Sequence, residues 1–158
     1  VSGAAHFARK LEANPNCQMD AVRMAQVATL FGCPYMIENP VSVLSTMWRK
    51  PDHYWEPYQY SEYCPVGPHP EFPDVIPPMD LYPKKTGAWI GNGFVMPRKG
   101  DTFLPVAKEN PGFKKLGGKS ARTKRIRSLT PRGFARAVYL YNVVPVLLQS
   151  APVPLWVD

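Results

Sequence analysis

The sequence predicts a single α/β domain, residues 1–158, with a parallel sheet and long irregular connections. Three observations carry this. Apolar residues at helical spacing up to Phe31 run through Gly32 and Pro34 directly into a short apolar run, Tyr35-Met36-Ile37-Glu38, so that a helix, a tight loop and a buried strand follow one another. The 158 residues are enough to bury one core and too few for two comfortable ones. The 19 prolines are more than twice the usual ~5% usage and commit much of the backbone to turns and extended connections.

In the first helix, Asn14 or Asn16 serves as cap, Pro15 suits the first turn, Met24, Val27, Ala28 and Phe31 form the buried face, and Gly32 ends it. The strand after it would bring Glu38 and Asn39 to the carboxyl end of a parallel sheet, where open α/β sheets bind their ligands. Val41 to Trp48 reads as a short helix. Between Pro51 and Pro83, nine prolines interleave with Tyr54, Trp55, Tyr58, Tyr60, Tyr63, Phe72 and Tyr82. This is an extended, aromatic insertion with little room for regular elements. Its aromatics can stack on bases, but packing onto their own domain is the heavier use.

Residues 86–96 predict two short strands around Gly91-Asn92-Gly93. A basic loop, 108–129, follows. Thr130 is the expected cap of a final helix begun by Pro131, with Phe134, Ala137, Val138 and Tyr141 on its inner face and Pro145 limiting or kinking it.

The formal net charge is +7, and it is unevenly spread. Lys114, Lys115, Lys119, Arg122, Lys124, Arg125 and Arg127 form a run without an acid. Such a run either stays a solvated loop or meets a polyanion, whose phosphates release counterions on neutralisation. Gly117 and Gly118 allow close backbone approach to a phosphate, which favours nucleic acid. Arg132 and Arg136, four apart, extend the cationic set onto the last helix.

No run reaches the ~18–20 apolar residues of a membrane span, and a signal-peptide profile is lacking, so a soluble cytoplasmic protein without a membrane partner is expected. Cys17, Cys33 and Cys64, odd in number and widely spaced, argue for reduced thiols. A zinc site from Cys64, His69 and His53 with Glu62 or Asp74 is weakly signalled against plain loop residues, and no metal is assigned.

Read from its own position, Glu38 either closes a buried strand or serves as the carboxylic acid of a ligand pocket. In the second case desolvation raises its pKa, and it can share a proton with a ring nitrogen.

Three blocks, "YMIENPVSVLSTMWRKPD", "YPKKTGAWIGNGFVMP" and "RSLTPRGFARAVY", resemble the C-terminal part of phage-type DNA cytosine (carbon-5) methyltransferase-like proteins. The similarity covers most of residues 1–142, and the blocks stand in the family's order. The resemblance implies a partial Rossmann-like methyltransferase sheet with long proline- and aromatic-rich loops. It implies that Glu38 engages the pyrimidine edge of an extruded cytosine, with Asn39 and Pro40 shaping the turn. Lys84, Lys85 and Thr86 would then line the pocket rim, and the region from Lys114 to Arg136 would grip backbone phosphates.

The departures are equally specific. The family's glycine-rich donor-binding turn and its Pro-Cys nucleophile are not in these residues: Cys17 follows Asn16, Cys33 follows Gly32 and Cys64 follows Tyr63. Without the thiolate there is no covalent adduct. The expectation is therefore the DNA-binding, base-recognising half of such an enzyme, inactive alone, with S-adenosylmethionine bound only when a complementary N-terminal half is supplied. The alternative is a stand-alone phage or host-interaction protein that binds nucleic acid or a protein partner without catalysis, through Trp48, Trp55 or Tyr58.

Overall fold

A computed structural model describes residues 15–41, 43–111, 116–118 and 120–150. The chain is mixed α/β and forms two compact units, one of Val1–Tyr54 with Lys85–Phe94, the other of Trp55–Lys84 with Val95–Asp158.

In the first unit, helix α1 (Pro15–Ala28) runs into a 3-10 turn, Thr29–Phe31, and Gly32 closes it at φ 68°, as its position predicts. Asn14 lies outside the described residues. The buried face is not the expected one. Val22 and Ala25 are 4% and 5% exposed, whereas Met24, Val27 and Phe31 are 74%, 50% and 72% exposed. The helix carries two apolar stripes, and the narrower one, Val22 and Ala25, lets its backbone approach Leu44 and Trp89 closely. The short helix expected after Pro40 is α2 (Val43–Met47).

Three strands, β1 (Tyr35–Pro40), β2 (His53–Trp55) and β3 (Thr86–Gly91), make an antiparallel sheet in the order β1-β3-β2. The expected parallel arrangement does not form in this sheet. β3 runs antiparallel to β1 with Tyr35 opposite Gly91 and Pro40 opposite Thr86. Glycine makes the approach possible: a Cβ on Gly91 would strike the Tyr35 ring, and one on Gly87 would crowd Pro51. Near β2, Asp52 N donates to Ala88 O at 2.9 Å, while the Asp52 carboxylate accepts from Ile90 N at 2.8 Å and from Arg49 at 2.7 and 3.0 Å. The Arg49 guanidinium holds the Asp52 carboxyl below its usual range.

Trp89, fully buried, joins Val22, Ala25 and Leu44 in the core, stacks on Trp48 at 6.3 Å and donates its Nε1–H to Arg49 O at 2.8 Å. Asn92 (φ 52°) and Gly93 (φ 84°) make the expected tight turn, with Phe94 N donating to Gly91 O at 3.1 Å. Among the described residues no second strand returns from it.

In the second unit, Val95 instead exchanges both backbone hydrogen bonds with the Asn142 side chain, at 2.8 and 2.9 Å. A side-chain amide thus takes the place of a ladder partner. The proline- and aromatic-rich segment is core rather than excursion. It forms 3-10 helices at Pro57–Tyr63 and Pro78–Asp80, the first closed by a reciprocal Glu56–Gln59 capping box. Trp55 stacks on Phe134 with centroids 3.7 Å apart, and Tyr60 meets the same ring edge-on at 5.0 Å. A second cluster gathers Phe72, Val75, Ile76, Tyr82, Leu116 and Ile126.

The expected basic loop contains a helix, α3 (Ala121–Ser128), followed by α4 (Arg132–Asn142) and α5 (Val144–Ser150). Phe134 and Ala137 are fully buried, and Val138 and Tyr141 half-buried, the face that the spacing predicts. Thr130 does not cap α4. Its first turn is closed from a distance by Asp80, whose carboxylate accepts from Arg132 N at 2.5 Å.

Candidate nucleic-acid interface

Helix α3 exists because Ser120 caps it and two residues anchor it. Ser120 Oγ accepts from Thr123 N at 3.1 Å, and Thr123 and Ile126, three apart, are its buried contacts. Everything cationic is thereby turned outward: Arg122, Lys124, Arg125 and Arg127 are all exposed. Lys84 Nζ donates to Arg127 O and Leu129 O at 3.5 and 3.4 Å, placing a cation at the carbonyl end of α3.

The guanidinium groups are not all equally available. Arg127 Nη2 donates to Leu116 O at 2.8 Å. Arg122 contacts Asp74 at 3.1 and 2.8 Å and lies over the Phe72 ring at 5.6 Å. Arg125 contacts Glu71 at 3.1 and 2.8 Å. Arg132 is turned inward, its Nε and Nη2 on Asp80 at 3.3 and 3.2 Å and its Nη1 on Pro68 O at 3.3 Å. Arg136 is exposed on α4 and Lys124 on α3. Lys114, Lys115 and Lys119 lie outside the described residues.

The other predicted site residues stand in the first unit. Glu38, half-buried, sits inside β1 opposite Ala88 rather than beyond the end of the strand. Successive strand residues face opposite sides, so Glu38 shares a sheet face with Ala88 and Thr86, while Asn39 shares the other with Ile37 and Trp89. The strand brings Glu38 and Thr86 to one face and separates Glu38 from Asn39. Thr86 is fully buried. Lys85 is exposed, with Nζ 5.1 Å from the Tyr54 ring centroid.

Sequence reasoning missed a buried polar cluster beside the start of α4. Met79 and Asp80 both adopt left-handed backbone, φ 55° and 54°, which aims the 2%-exposed Asp80 at Arg132. Burial, reinforced by Asp80, pushes the Cys64 thiol up to about 11 and keeps it protonated. His69 Nδ1 accepts from Glu71 N at 3.2 Å and Phe72 N at 3.1 Å, so its proton is on Nε2. Burial, then the Arg132 charge, lowers the His69 pKa below 6.5. Among the described residues no three His, Cys, Asp or Glu side chains are grouped to hold a metal. The Pro-Pro-Met-Asp turn is the only local signal for this cluster, and it does not reveal the partner 52 residues away.

The sign of the pH effect follows from these bonds. Protonated His69 would present a donor to two N–H donors, and the unfolded chain takes up the proton at higher pH than the folded one. The stability contributed is full above about pH 6.5 and falls as pH drops through the lowered folded value. The unfolding midpoint should therefore be lower at about pH 5 than at about pH 7. His69→Asn, whose Oδ1 accepts without titrating, should reduce that difference. An unchanged difference would contradict the assignment.

Comparisons with protein-family profiles, curated proteins and solved structures return no match. Among the described residues no helix is long and apolar enough to cross a membrane.

Proposed function

We propose that this chain is the DNA-binding, base-recognising half of a cytosine (carbon-5) methyltransferase-like protein and does not methylate alone. The observation that carries the DNA part is α3, a helix whose inward residues are Thr123 and Ile126 and whose exposed residues include four cations and no acid. Arg136 adds charge on exposed surface of the same unit. Glu38 is the base-reading acid in this reading, on the sheet face it shares with Thr86.

In this reading the antiparallel strands form one flank of a partial Rossmann-like sheet. β1 stands at the edge of the described sheet. Beside α1, Met24, Val27, Ala28 and Phe31 line a groove of about 460 Å³. A complementary half would cover that edge and bring the nucleophile and the S-adenosylmethionine site. Cys64, buried and held protonated, is unsuited to the nucleophile's role. The reading assigns the protein to the cytoplasm of a bacterium or phage-infected cell.

The exposed apolar stripe of α1 favours a second reading, a non-catalytic protein-binding factor. Base recognition separates the two. Glu38→Gln should leave binding of fully paired duplex within about twofold while abolishing any preference for a duplex with a cytosine at a mismatch, which costs less to extrude. Equal binding of both duplexes by the unaltered protein would remove Glu38 as a base reader.

A further inference from the structure

We infer that Glu71 and Asp74 are intramolecular competitors for the nucleic acid on α3, occupying the Arg125 and Arg122 guanidinium groups until phosphates displace them. The inference rests on the reading that α3 binds nucleic acid.

The geometry matches two acids to two arginines. Glu71 and Asp74 are three residues apart, as are Arg122 and Arg125, which therefore neighbour each other on one flank of α3. The acids are held in place by backbone. Glu71 N and Phe72 N donate to His69 Nδ1, Val75 N and Ile76 N donate to Phe72 O at 3.2 and 2.9 Å, and the Phe72 ring lies beneath Arg122. The segment 71–76 thus presents its carboxylates to α3 from a turn that is already ordered.

The contacts are built to be exchanged. In each pair both carboxylate oxygens meet a single nitrogen, Nη2, rather than the two parallel N–H bonds of the strong fork geometry. The side chains are about half exposed, 51% and 61% for Arg122 and Asp74, 64% and 49% for Arg125 and Glu71. Pairs this exposed are weak and screened by salt. Compared with one free phosphate ion, a strand with linked phosphates can replace both carboxylates in a single encounter. The device thus selects polyanions and sets an affinity threshold against single anions.

The test is the affinity of a fluorescent DNA duplex at about 50 mM salt for four proteins: the unaltered chain, Glu71→Gln/Asp74→Asn, Arg122→Gln/Arg125→Gln, and all four changes together. The acid variant should bind about fivefold tighter, the factor that two exposed ion pairs of ordinary strength represent. That gain should vanish when the arginines are also replaced. Thermal unfolding of the acid variant within about 3 °C of the unaltered chain would show that the fold is intact. No gain in the acid variant, with binding still weakened by the arginine changes, would overturn the competition and leave DNA binding standing. A gain that persists without the arginines would also overturn it, because bulk charge would then explain the effect. Absence of binding by all four would remove the DNA reading and the competition with it.

Discussion

Asp80→Ala is expected to destabilise the second unit by about 3–5 kcal/mol, the cost of leaving a largely buried cation without its partner. The carboxylate has two tasks at once. It pairs with the Arg132 side chain, which is only 20% exposed, and it accepts the Arg132 backbone N–H at the start of α4. Neither is replaced by alanine, which is also poorly suited to φ 54°. Asp80→Asn keeps the shape and an accepting oxygen but loses the charge, so its loss should fall between alanine and zero. Urea unfolding followed by tryptophan fluorescence, with Trp55 in the core of this unit, reads the effect. A loss under about 1 kcal/mol for Asp80→Ala would mean that the ion pair does not hold the helix start.

Gly133→Ala should destabilise by about 3 kcal/mol, opposite in sign to what helix propensity predicts. Inside a helix, alanine is favoured over glycine by about 1 kcal/mol. Gly133 lies in the first turn of α4, where a Cβ would collide with the Tyr60 backbone carbonyl. The clash is with backbone, which cannot swing aside as a side-chain end can, so the collision moves α4 away from Tyr60 and opens the Trp55–Phe134 stack. Loss of near-ultraviolet circular dichroism together with a lowered urea midpoint is the expected signature. A stabilised Gly133→Ala would show that α4 and the Tyr60 carbonyl are not in contact at Gly133.

What could be read from the sequence divides along the range of the interactions. Local ones were legible. Gly32 in left-handed conformation, the Asn92-Gly93 turn and the inner face of α4 all follow from nearby residues. Periodicity identifies an apolar face of α1 without saying what it meets, and Trp89 selects the narrower of its two stripes. The antiparallel sheet is not legible locally, because β3 comes from 46 or more residues beyond β1, after the segment that builds the second core. The prolines of that segment predict irregular structure, yet proline in first turns of 3-10 helices and buried aromatics make it the centre of its unit.

The candidate site shows the same division. The charge run announced cations, but not that Ser120, Thr123 and Ile126 would fold them into a helix with an outward cationic surface. Nor did it show that Arg132 would be spent on Asp80, or that Arg122 and Arg125 would face acids. Glu38 and Asn39 are adjacent in sequence and suggest one pair, but within a strand adjacency means opposite faces.

DNA-phosphate binding by α3 is read from the salt dependence of duplex affinity for the unaltered chain and for Arg122→Gln/Lys124→Gln/Arg125→Gln. Affinity should fall steeply between about 50 and 200 mM salt. The slope of log K against log salt should be shallower in the variant by about 0.9 for each phosphate contact removed. Binding that ignores salt, or a slope that the three changes leave unaltered, would rule out phosphate contacts by α3.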